Sequence, residues 1–148
     1  MKRLLALGFL GALVLAMTSY TVSTGQADVK GKTETVLVNA KGLTLYYDTH
    51  DSPGKATCTG GCAKFWPPLL VHGSFSAPAS LKAGLKVFQG ANGPQLEYYG
   101  HPLYTFSGDT KPGQANGQGI AGIWYVATPE LGHTSASSAP ASSSGSGW

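Results

Sequence analysis

One segment of this chain is written twice, and that repetition limits the folds open to it more than any other feature. From Leu45 the sequence runs LYYDTHDSPG and reaches CAKFW; from Leu103 it runs LYTFSGDTKPG and reaches IAGIW. Leu45-Tyr46 aligns with Leu103-Tyr104, Asp51 with Asp109, and Trp66 with Trp124. Pro53-Gly54 answers Pro112-Gly113 after a one-residue insertion, and a compensating gap brings Gly61 onto Gly119 and Ala63 onto Ala121. Gly42 and Gly100 fall in step ahead of each Leu-Tyr pair. Two copies are too few for a solenoid, which needs three or more stacked units. A pseudo-two-fold domain with one shared core is expected, with repeat one over about 36–70 and repeat two over about 94–129.

The repeats read as strands. Thr35 to Asn39 is a β-branched run, Ala40-Lys41-Gly42 a turn, and Leu43 to Tyr47 an alternating strand. Leu85 to Gln89 and Gln95 to Tyr99 flank the turn cluster Gly90 to Pro94, a hairpin signature. Leu103 to Phe106 and Ile123 to Ala127 complete the set, and residues 76–83 allow one short helical turn. Two glycine-rich excursions, Ser52 to Gly61 and Thr110 to Gly122, interrupt the strands. No stretch keeps a helical period. The fold class is all-β, a small sandwich or a partly closed barrel.

The ends differ from this middle. Lys2 and Arg3 precede the apolar run Leu4 to Met17, which falls short of the roughly 20 residues that span a bilayer. Small and polar residues follow, as in a secretory signal. Met1 to Ala27 is read as that signal, with cleavage after Ala27 preferred and cuts after Ser23 or Gly25 as alternatives. Lys2 and Arg3 are two of the ten basic residues and no acidic residue precedes Asp28, so removal lowers the net charge from +3 to about +1. No basic block remains for nucleic acid or an anionic membrane surface, and no membrane span is expected after processing. From His133 the chain is almost all Ser, Ala, Gly and Pro, a composition that cannot offset its ordering entropy. The expected domain is therefore residues 28–132, a monomer.

Cys58 and Cys62 are the only cysteines. A c-type haem needs His after the second Cys, where Ala63 stands; a zinc site needs about four ligands. Export makes a Cys58–Cys62 disulfide the expectation, with a reversible redox pair as the alternative. Where one repeat carries these cysteines the other has Asn116 and Ile120, which favours a turn-fixing role.

Asp51 and Asp109 precede Pro-Gly turns and are read as Asx-turn acceptors. The densest group of ligand-type side chains is Asp48, His50 and Asp51, which could hold a divalent ion. Repeat two has Phe106, Gly108 and Asp109 there, so a duplicated metal site is not expected. His72, His101 and His133 have no ligand spacing, and no nucleophile or nucleotide-loop motif is present. No catalytic residue and no cofactor are expected. Trp66 and Trp124 are assigned to the core; exposed tyrosines elsewhere could stack on sugar rings.

With these residues in view, the chain resembles the bacterial secreted repeat of unknown function family, exported or lipoprotein-like proteins with a Tyr-x-aromatic-x-x-Asp motif. Repeat two carries the motif as Tyr104, Phe106 and Asp109; repeat one departs from it, with Asp48 between Tyr46 and Asp51 where an aromatic is expected. CTGGCAKFWPPL resembles the family's Cys-bearing Trp-Pro-Pro segment. The resemblance implies export and no particular reaction. The expected function is a secreted or periplasmic, non-enzymatic β domain that binds or scaffolds an envelope component. A metal- or redox-linked envelope protein is the second reading and a carbohydrate-binding module the third.

Overall fold

The computed structural model describes residues 18–132. The apolar run at 4–17 and the tail at 133–148 lie outside the described residues. Strand β1 (Val22–Val29) turns through Lys30-Gly31 into β2 (Lys32–Asn39), with register from Val22↔Asn39 to Val29↔Lys32. Lys30 and Gly31 both have positive φ, 51° and 84°, which a two-residue hairpin turn of matching twist requires. Strand β3 (Tyr46–Asp48) follows. Then come the single helical turns α1 (Cys62–Phe65) and α2 (Ala79–Lys82). A second hairpin joins β4 (Leu85–Gly90) to β5 (Gly93–Tyr98), and β6 (His101–Pro102) extends it. A 3-10 turn (Ile120–Gly122) leads into β7 (Trp124–Val126).

Among the described residues the strands form three small sheets, β1-β2, β3-β7 and β4-β5-β6, with no closed barrel. The all-β expectation holds in its sandwich form. The expected domain start falls inside a strand. Strand β1 runs across the boundary drawn after Ala27, and Val22 and Ala27 are buried, at 0% and 2% exposure. The folded part thus begins at least six residues earlier than Asp28. TVSTGQADV has the small, polar look of a signal's end, yet it pairs residue for residue with β2. Each repeat accordingly includes the hairpin before its Leu-Tyr pair and is longer than the sequence bounds of 36–70 and 94–129.

The two repeats are interwoven. Strand β3 of repeat one pairs with β7 of repeat two, Tyr46 opposite Val126. In return Tyr104 of repeat two bridges to Pro68 of repeat one. Backbone bonds come in matched pairs across the pseudo-two-fold. Tyr46 N–H donates to Tyr104 O at 2.8 Å and Tyr104 N–H to Tyr46 O at 3.0 Å. Thr49 N–H donates to Ile123 O at 3.0 Å, and Ser107 N–H to Phe65 O at 2.8 Å. Leu37 N–H reaches Ala127 O at 2.8 Å, and Leu96 N–H reaches Leu69 O at 2.9 Å. The strand expected at 103–106 is reduced to isolated bridges. Its partner segment contains Pro67 and Pro68, which have no N–H to donate, so the ladder cannot propagate there.

Strand alternation sends neighbouring residues to opposite sides. Leu37, Leu45, Leu96 and Leu103 join Val22, Leu81 and Tyr98 in one buried cluster. Val36, Tyr46, Tyr104, Trp66, Trp124, Val126 and Cys58 form the other. The Leu-Tyr pair of each repeat thus contributes one residue to each core.

Candidate functional site

The aromatic cluster gathers the repeat motif in one place. Trp66 and Trp124 lie face to face, centroids 3.9 Å apart and planes within 2°. Phe106 stacks on Trp66 at 4.5 Å. Tyr46 meets Trp66 edge-on at 5.4 Å, and Tyr104 meets Trp124 edge-on at 5.1 Å. The two indoles are buried against each other at the pseudo-two-fold, where their equivalent sequence places put them.

Each tyrosine hydroxyl crosses to the other repeat. Tyr46 donates to Asp109 Oδ2 at 2.5 Å, and Tyr104 donates to Asp51 Oδ2 at 2.6 Å. Each aspartate spends its second oxygen on its own excursion. Asp109 Oδ1 accepts Asn116 N–H at 2.9 Å; Asp51 Oδ1 accepts Thr57 N–H at 2.7 Å and the Thr57 hydroxyl at 2.6 Å. Gly117 N–H donates to the Tyr46 hydroxyl at 3.2 Å. A Cβ at Gly117 would stand 2.7 Å from Trp66 and 2.9 Å from Tyr46, so only glycine fits that approach. Burial, then the hydrogen bond to the aspartate, pushes both phenols far above the ordinary tyrosine value. They remain neutral donors and are poor candidates for a phenolate nucleophile.

The Asx-turn expectation is corrected here. Neither Asp51 nor Asp109 caps the residue two places on; each reaches six or seven residues along its excursion and to the opposite tyrosine. The local pattern is instead used by Asp48, whose Oδ1 accepts His50 N–H at 2.8 Å. His50 Nδ1 lies 3.3 Å from the same oxygen while its side chain is 64% exposed. Asp48, His50 and Asp51 therefore do not converge: Asp51 is turned to Tyr104 and Thr57. Among the described residues, no three His, Cys, Asp or Glu side chains gather as a metal ion would need.

Cys58 and Cys62 form a disulfide. Cys58 is buried, and its carbonyl accepts Asn92 Nδ2 at 2.9 Å. In the other excursion Asn116 Nδ2 donates to Gly108 O at 3.2 Å, so an asparagine amide stands where the other copy has a covalent link. Trp66 and Trp124, at 5% and 3% exposure, cannot offer a face to a sugar.

Sequence reasoning missed several polar residues. Glu97, 4% exposed, accepts Gly54 N–H at 2.8 Å, and fully buried Gln95 donates to Leu103 O at 3.1 Å. Both look like ordinary solvent-facing positions of a hairpin strand; Glu97 meets the excursion at Gly54, and Gln95 is bridged by Leu70. His101 meets Tyr47 edge-on at 5.0 Å; burial lowers its pKa, against the opposing pull of Glu97 and Asp51.

No match to the chain was found among curated proteins or solved structures. The family model Lipoprotein_15, described as a secreted repeat of unknown function, matches residues 27–70 and again 86–128. The two matches cover more than half of the chain and fall on the two interwoven repeats. The chain belongs to this family of secreted repeats.

Proposed function

We propose that this protein is an exported, non-enzymatic β domain that binds or scaffolds a component of the cell envelope. The observation that carries the reading is how the motif is spent. Tyr46, Tyr104, Asp51 and Asp109 bond to one another across the repeats, and the tryptophans stack on each other. A motif consumed in this way supports a rigid frame whose outer surface makes the contacts. Export fits the family and the N-terminal basic-apolar pattern; the intact β1 favours a cut upstream of Val22. None of the described helices is long and apolar enough to cross a membrane.

The test is co-sedimentation of the purified, signal-free protein with isolated cell envelopes and with cell-wall sacculi. Saturable sedimentation that unlabelled protein competes away is the expected result. Recovery of all the protein in the supernatant at micromolar concentrations would overturn the reading. N-terminal sequencing of the exported protein locates the cut.

A further inference from the structure

The pseudo-two-fold relates two seams, each between one hairpin and the other repeat's excursion, and they are not alike. At the first, the β4–β5 hairpin closes on the repeat-one excursion. Asn92 bonds to Cys58 O at 2.9 Å, and Gly54 N–H bonds to Glu97 at 2.8 Å. At the second, the β1–β2 hairpin meets the repeat-two excursion. Its strands have eight residues each against six in the other hairpin. Asp28 N–H anchors it to Gly113 O at 2.9 Å and the Thr44 hydroxyl holds Gln114 O at 2.6 Å. Between them a cleft of about 400 Å³ stays open, walled by Asp28, Lys30, Gln114, Asn116 and Gln118.

These walls hold unspent hydrogen-bonding groups on anchored side chains. Gln118 Oε1 accepts Val126 N–H at 2.7 Å, and Gln114 Oε1 accepts Thr110 N–H at 2.7 Å. Each amide is thereby fixed through its oxygen, and its NH₂ has no protein partner among the described residues. Asn116 is fixed the other way, through Nδ2, which leaves its carbonyl oxygen. Asp28 Oδ1 accepts Gly31 N–H at 2.6 Å, leaving Oδ2. Lys30 makes no ion pair among the described residues.

We infer that this cleft binds a saccharide, one or two hydroxyl-rich rings of an envelope glycan. Fixed amides and a carboxylate match hydroxyls, each of which both donates and accepts. Anchoring lowers the ordering cost of binding. The side chains walling the cleft carry both charge signs and no aliphatic or aromatic face beyond Ala115, which argues against an apolar ligand and against a simple ion of either sign. The volume lies at the small end of the roughly 300–1,000 Å³ of small-molecule sites. The inference rests on the binding-module reading and gives it a location, away from the exposed tyrosines that could stack on sugar rings.

The test is an amide-resolved NMR titration of the exported protein with cellobiose, chitobiose and galacturonic acid. Glycine and glutamate serve as zwitterionic controls. Saturable shifts are expected for at least one sugar at the Gln114 and Gln118 NH₂ groups and at Lys30 and Gly31. Gln118→Glu keeps the oxygen that holds Val126 and removes the donor. Asp28→Asn keeps the turn cap and removes the charge. Each should weaken sugar binding by about tenfold, the loss of one hydrogen bond, with the rest of the spectrum unchanged. No saturable shift with any sugar, shifts with the amino acids alone, or wild-type sugar affinity in both variants would overturn the inference. Envelope sedimentation that survives both variants sinks the cleft and spares the binding-module reading; wild-type protein that never sediments sinks that reading itself.

Discussion

The two excursions reach the same end by different means. Repeat one closes its excursion with the Cys58–Cys62 disulfide and a doubly bonded Thr57. Repeat two uses the Asn116 amides and a glycine pressed against Trp66. What both keep is the crossed tyrosine–aspartate bond and one half of the tryptophan stack. The difference separates what the architecture requires from what either copy can replace. An aspartate with two oxygens is needed because one holds the loop and the other holds the opposite repeat. The device that tightens the loop is interchangeable.

The comparison of the hairpins is broken most severely by deleting β1. A chain that starts at Asp28 loses Val22 and Ala27 from the two cores and leaves only Lys32 and Thr33 of β2 opposite a β1 partner. We expect loss of the cooperative transition, read by circular dichroism on heating; a melting curve like that of the chain starting at Thr18 would show β1 to be dispensable. The shared stack comes next. Trp66→Ala and Trp124→Ala should each cost about 3–5 kcal/mol in urea titrations. If only one of them is costly, the stack does not serve both repeats equally.

The aspartates sharpen the contrast further. Asp109 is 5% exposed, whereas Asp51 is only partly buried, so water can replace some of its lost bonds. Asp109→Ala should cost about 2–3 kcal/mol and Asp51→Ala less, since an unsatisfied buried group costs about 1–3 kcal/mol. Equal losses in denaturant titrations would place the two carboxylates in the same environment. Removing the disulfide through the Cys58→Ser, Cys62→Ser pair should cost about 2 kcal/mol, because the closed loop is short. A loss as large as that of Asp109→Ala would make the covalent link essential to its repeat after all.

The smallest effect is in pH. The folded pKa values of Tyr46 and Tyr104 are raised, while the unfolded chain releases these protons near pH 10. Above that pH the folded state binds more protons than the unfolded one, so stability present at neutrality falls as pH rises. His101 acts at the other end. Its folded pKa is lowered, so stability present above about pH 6.5 is lost as pH falls. Tyr104→Phe should flatten the alkaline limb of a melting-temperature profile and His101→Gln the acid limb. A profile unchanged at both ends would contradict these assignments.

Much of the frame was readable from residue order. The β2, β4, β5 and β7 strands, the Gly90 to Pro94 turn and the burial of both tryptophans follow from periodicity, turn chemistry and repetition, and the Cys58–Cys62 bond from the expected export. Other features were not readable, for identifiable reasons. VSTGQADV has the composition of a processing site, and only pairing with β2 makes it a strand. Asp51 and Asp109 sit before Pro-Gly, where a local turn is the short-range solution. Their bonds to residues more than fifty positions away have no local signature. The cleft walls are Asp, Lys, Asn and Gln, which on any single strand or loop look like solvent-facing polarity.

The sequence by itself determined that this is a twice-written β domain preceded by a basic-apolar N-terminal pattern, with two cysteines close enough to join and a Tyr, an Asp and a Trp in each copy. It did not determine whose aspartate each tyrosine meets. Equivalent positions in the two copies carry the same residues, so a bond within a repeat and a bond between repeats have the same local chemistry. The tertiary structure decided for the crossed arrangement. Tyr46 and Tyr104 lie side by side at the pseudo-two-fold, their backbones bonded to each other, and from there each hydroxyl reaches the loop of the opposite copy.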